Sequence, residues 1–96
     1  MSNDKAPTVK GKNQKFFYTR HAEDKLQEIE AKKFQISKNK LEVIIEKPQV
    51  LQDVQQVKRA MGKLDSTHSL CVIYKQELDA IKIITFFPAE KGRYEN

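Results

Sequence analysis

Pro48 divides this 96-residue chain into two stretches with different periodicities, and that division limits what it can fold into. Before Pro48, apolar residues recur at helical spacing: Ala22, Leu26 and Ile29 at i, i+4 and i+7, then Leu41, Ile44 and Ile45. After it come short runs rich in β-branched and aromatic residues, separated by turn-forming residues. Proline has no backbone N–H, and its ring clashes with the preceding helical turn, so the second helical pattern stops at about Glu46–Lys47.

Cap signals sharpen the first half. Phe16, Phe17 and Tyr18 form an aromatic run with strand propensity. Thr19 then stands where an N-cap belongs, with Glu23 and Asp24 in the first turn, where the helix dipole favours carboxylates. This predicts a helix over about residues 20–32. Ser37 caps a second helix, with Ile36 placed to staple onto Leu41.

The second half predicts strands at Val50–Val54, Val57–Leu64, Ser69–Lys75 and Ala80–Phe87. Gly62 marks a bulge or turn in the second of these, Asp65–His68 form a turn, and Glu77-Leu78-Asp79 form a hairpin tip. The near-continuous apolar run Leu70–Tyr74 predicts a central strand. In the last strand, alternation puts Ile81, Ile83, Thr85 and Phe87 on one face and Lys82, Ile84 and Phe86 on the other, and Pro88 ends it. The order is β-α-α-β-β-β(-β). Sequential strands joined by short turns predict an antiparallel sheet with the two N-terminal helices packed on one face, a two-layer α+β fold.

The formal net charge is +5, from 18 Lys and Arg against 13 Asp and Glu. It points to a polyanionic partner, but it is unevenly spread. Residues 1–20 hold five cations and one acid, whereas residues 21–96 hold 13 cations and 12 acids. Residues 1–14 contain only Met1, Ala6 and Val9 as apolar side chains, too few to offset the entropy of ordering them. They are expected to be a disordered basic tail, either a solubilising leader or an arm that touches phosphate, ahead of a single domain over residues 15–96.

Several classes of chemistry find no support. No apolar run approaches the roughly 20 residues of a membrane span, and the first 14 residues lack the apolar stretch of a secretory signal. Cys71 is the single cysteine, so no internal disulfide forms, and a reducing cytoplasm is the expected location. That cysteine lies in the most apolar strand, where a thiol is inert. His21, His68 and Cys71 are not spaced as metal ligands, and Gly11, Gly62 and Gly92 make no phosphate-binding loop. Neither a metal nor another cofactor is expected.

What remains is a set of cations, one imidazole and one phenol. Arg20 and His21 open the first helix, Lys58 and Arg59 lie on a strand, and Lys91, Arg93 and Tyr94 follow the last strand. Arg59, Arg93 and Tyr94 together are suited to hold a phosphate and stack a base. Each also has a plainer role: His21 as a helix-cap or packing residue, Lys58 and Arg59 as a solvated strand face, Tyr94 as a pin for the tail, His68 as an exposed turn residue.

The segment FYTRHAEDKLQEIEAKKFQISKNKLEVIIEKP, with its T-[KR]-H-A start, and the closing IKIITFFPAEKGRYE, with P-A-x-x-G-R-Y, resemble a family of small bacterial and archaeal domains grouped with the RelE/ParE toxins. The resemblance covers about residues 16–96. It implies a RelE-like fold and one of two activities: a metal-free endoribonuclease acting on mRNA, often at the ribosome, or a ParE-like gyrase inhibitor that cuts nothing. The terminal R-Y-E is also similar to that of BrnT-type ribonuclease toxins. A cognate antitoxin protein is the implied partner. In the nuclease form, His21, Arg59, Arg93 and Tyr94 are the implied catalytic residues, with Arg20, Lys58 and Lys91 binding RNA; a non-catalytic protein-binding module and a simple nucleic-acid binder are the alternatives.

Overall fold

A computed structural model describes residues 15–91. Its elements are β1 (Lys15–Tyr18), α1 (Arg20–Leu26), α2 (Ile29–Lys33), α3 (Lys38–Glu46), β2 (Val50–Val54), β3 (Val57–Lys63), β4 (His68–Gln76) and β5 (Ala80–Glu90). The expected basic tail at residues 1–14, and Arg93 and Tyr94, lie outside the described residues.

Both cap residues act as their chemistry predicts. The Thr19 hydroxyl accepts from the Ala22 N–H at 3.1 Å, and that of Ser37 from the Lys40 N–H at 3.3 Å. Between these caps the chain departs from expectation: the predicted single helix is two. Gln27 ends α1, and Glu28, in extended backbone, begins α2. The restart turns the chain, so Ala31 is buried while Ile29, third in the predicted apolar stripe, is 84% exposed.

The five strands form one sheet in the order β1-β5-β4-β3-β2. After β1 the three helices carry the chain to the far edge, and β2 to β5 return as an antiparallel meander that brings β5 beside β1. β5 runs parallel to β1, Lys15 opposite Ala80 and Tyr18 opposite Ile83. The sheet is therefore mixed, not purely antiparallel, and the fold is α+β with three helices on it.

The helix side holds the main core. Ala22, Ala31, Ile36, Leu41, Ile44 and Ile45 pack on Ala60, Leu70, Val72, Tyr74, Ile81, Ile83 and Phe86. Gly62 lies inside β3, where neither a turn nor a bulge occurs, and a Cβ there would meet the Ile44 Cγ1 at 3.0 Å. The missing side chain admits α3 to the sheet.

Two corrections concern β5. The pairing with β4 shifts between Ile73 and Tyr74: Ile73 faces Thr85 but Tyr74 faces Ile83, leaving Ile84 as an extra residue. That bulge reverses the alternation. Phe86 joins Ile81 and Ile83 on the helix side, and Phe87 packs with Met61, Cys71, Ala89 and Val50 on the other face. Nor does Pro88 end the strand, which continues to Glu90. β1 stops at Tyr18, so β5 has a neighbour on one side only beyond the bulge, and an edge position tolerates a missing N–H.

Tyr18 ties the layers together. Its hydroxyl donates to Glu42 Oε2 of α3 at 2.5 Å, and the Lys38 Nζ lies 4.7 Å from its ring centre. Burial, then the Glu42 hydrogen bond and charge, push the phenol well above its usual range. A phenol that holds its proton more tightly when folded stabilises fully below the unfolded pKa of about 10 and loses that contribution as pH rises beyond it. Tyr18→Phe is therefore expected to cost about 1 kcal/mol near neutrality and to flatten the fall in stability towards about pH 11. Urea unfolding at both pH values, beside the wild type, checks this.

Candidate functional site

The face of the sheet that carries no helix is built by alternation and register. Phe17 of β1 faces Lys82 of β5, which faces Lys75 of β4. One row along, Thr85 faces Ile73, Ile73 faces Arg59, and Arg59 faces Gln52. The next row is the buried apolar cluster around Met61, Cys71 and Phe87. The half nearer the β4–β5 turn is thus polar and cationic, and the other half is apolar and buried.

The turn sets the cations in place. The Glu77 N–H donates to the Ala80 carbonyl at 2.8 Å, and this closure puts Lys75 directly opposite Lys82. Like charges directly opposite on neighbouring strands repel. Neither lysine forms an ion pair among the described residues, whose pairs are Lys38–Glu23, Lys58–Asp53 and His68–Asp65. Among the described residues, no Asp or Glu alternates onto this face. Asp53 lies on the helix side, as does Glu90, while Glu77 and Asp79 sit at or beyond the end of the strands.

The bulge brings in the imidazole. Thr19, just ahead of α1, donates its N–H to the Ile83 carbonyl at 3.0 Å and its hydroxyl to the Ile84 carbonyl at 2.9 Å. These bonds pin the start of α1 against the edge of β5, with Ala22 buried beneath. His21, one residue into the helix, is then exposed with its Nε2 3.1 Å from the Thr85 hydroxyl. The T-R-H-A segment thus has a structural role for Thr19 and Ala22 and delivers His21 to the cationic face. Thr85 and Arg59 lie two strands apart, about 10 Å between backbones. Arg59 Nε donates to Gln52 Oε1 at 2.9 Å, and a second guanidinium nitrogen donates to the same oxygen, which orients the fork along the row.

The structure brings together only part of the residue set named from sequence. His21 and Arg59 share one row. Lys58 stands on the opposite face, paired with Asp53 at 2.9 Å, and that contact holds its ammonium above the usual lysine pKa. Arg20 is exposed at the first position of α1, and Lys91 follows β5 with its N–H donated to the Thr67 carbonyl at 3.0 Å. Sequence reasoning missed Lys75, Lys82, Thr85 and Phe17. The signal for Lys82 was present, a cation between two isoleucines, but its pairing with Lys75 depends on the hairpin register.

His68 is not the exposed turn residue it resembled. It begins β4, half-buried, with its ring edge-on to Phe34 at 4.9 Å between centres and its Nδ1 3.1 Å from Asp65 Oδ1. Asp65 also accepts the Thr67 N–H, which is the main cause of its lowered carboxyl pKa. With Glu30, Phe34 and Glu90, His68 lines a cavity of about 280 Å³ on the helix side, away from the cationic face. Among the described residues no three His, Cys, Asp or Glu side chains are grouped to hold a metal, and no helix is long and apolar enough to cross a membrane. Comparison of the chain with protein-family models, with curated proteins and with solved structures finds no match in any of the three.

Proposed function

We propose that the chain is a toxin-like protein of RelE/ParE character that engages RNA on the helix-free face of its sheet and cleaves it without a metal. One observation carries this reading. Among the described residues, Lys75 and Lys82 face each other across β4 and β5 without an ion pair, on a face whose strand positions hold no acid. Such a pair costs stability unless an anion lies between the ammonium groups, and a phosphate backbone supplies one at every nucleotide.

The chemistry follows from the next row. The RNA 2′-hydroxyl attacks the adjacent phosphorus and gives its proton to His21, held at Nε2 by Thr85. The new O2′–P bond forms as the P–O5′ bond breaks. The departing 5′ oxygen takes a proton from water, and the imidazolium neutralises the hydroxide left behind. Arg59 and the two lysines stabilise the charge that builds on the phosphoryl oxygens. On this reading the RNA, free or on the ribosome, is the substrate, and a cognate antitoxin is the protein partner that would cover the face in the cytoplasm.

Incubating the protein with RNA in the presence of EDTA is expected to give fragments ending in 2′,3′-cyclic phosphate. His21→Ala is expected to lower the rate by about 10²–10⁴-fold. Intact RNA, or an unchanged rate in that variant, overturns the cleavage. A non-catalytic, ParE-like reading is favoured by one feature: among the described residues His21 is the single imidazole on this face. RNA that is bound but never cut selects that reading.

A further inference from the structure

We infer that the site takes single-stranded RNA in preference to duplex, with Phe17 as the platform on which one nucleobase stacks. This rests on the RNA reading above and names the form of RNA that the face selects.

Phe17 is 53% exposed, while its neighbours Phe16 and Tyr18 turn inward and pack on the main core. Three aromatic residues in a row on one short strand thus divide by alternation, two for the fold and one for solvent. Phe17 is also in register with Lys82, and through it with Lys75. The ring therefore borders the cation pair, and neighbouring strands are only about 5 Å apart. An aromatic ring beside cations that meet no acid among the described residues suits a nucleotide, whose base has an apolar face and whose phosphate is an anion.

The placement also distinguishes RNA forms. In a duplex the bases are stacked and paired inside, so no base face is free to meet a ring on a protein surface. A single strand crossing the sheet from Phe17 over Lys82 and Lys75 lays a base on the ring and phosphates on the lysines. That path puts an anchored base beside the row that holds Thr85 and His21. Phe17 is then a positioning residue for the phosphate that follows its base.

The test measures the affinity of the full chain for a labelled single-stranded oligoribonucleotide and for its duplex, with a 2-aminopurine base in the strand as a stacking probe. The wild type is expected to bind the single strand more tightly and to quench 2-aminopurine. Phe17→Ala is expected to weaken single-strand binding by about 5- to 100-fold and to abolish the quench, and Phe17→Trp to restore both. Equal binding of the two forms, or a Phe17→Ala variant with unchanged affinity and quench, overturns the inference. RNA binding that falls with Lys75→Ala and Lys82→Ala but ignores Phe17 leaves the RNA reading standing and removes this one. A wild type that binds neither form removes both. Should Phe17→Ala fail to fold, Phe17→Leu, matched in bulk but unable to stack, gives the same comparison.

Discussion

Truncating Phe86 to alanine is expected to destabilise the domain by about 3–5 kcal/mol. The ring is 2% exposed and lies on the helix side beside Val72, with the Lys25 Nζ 5.4 Å above it. Removing it leaves a cavity under α1 that backbone packing cannot close, and the lysine stem loses the surface it lies on. A domain of this size has about 5–15 kcal/mol of total stability, so the loss is a large fraction of it and the urea midpoint should fall well below that of the wild type. Equilibrium unfolding followed by far-UV circular dichroism measures it. A cost under about 1 kcal/mol would mean that β5 can slip by one residue, drop the bulge and bring Phe87 inward in place of Phe86.

The second large effect is on binding. Exchanging both facing lysines for acid, Lys75→Glu with Lys82→Glu, is expected to lower RNA affinity by more than about 100-fold near 0.1 M salt and to reduce the slope of affinity against salt by about 1.4. The single change Lys75→Glu separates function from fold. It turns a repelling cross-strand pair into an attracting one, so stability should rise by about 0.2–1 kcal/mol while RNA affinity falls. Opposite signs in one variant cannot come from damage to the fold. A single variant that is both less stable and unchanged in binding would remove the lysine pair from the interface. Thermal melts and a salt titration of binding give the two readouts.

Local chemistry was legible in the sequence and long-range geometry was not. Thr19, Ser37 and Pro48 each act within a few residues of themselves, and the helix ends they mark are where they were expected. The break at Gln27–Glu28 carries no proline or glycine to mark it; a straight helix would put Ala31, nine positions after Ala22, on the opposite side from it, whereas the restart lets both join the core. The parallel partnership of β1 with β5 joins residues too far apart for any window of periodicity to reveal. The bulge at Ile84 is likewise invisible locally, because Ile83, Ile84, Thr85, Phe86 and Phe87 are all good strand residues and alternation can be started from either end. Of the site, the T-R-H-A start pointed to His21, whereas Lys75 and Lys82 become a pair only through the hairpin register.

The parallel pairing of β1 with β5 also sets an order of events during synthesis. The Thr19 hydroxyl must find the Ile84 carbonyl, 65 positions further along the chain. β1 and α1 leave the ribosome early and have no sheet to join until β5 has followed the meander out of the exit tunnel. His21 meets the cationic row at that last step and not before. A nascent fragment that stops short of β5 carries all three described helices and four of the five strands, yet lacks Lys82 and Thr85, so the row that His21 joins is assembled only once the last strand is in place.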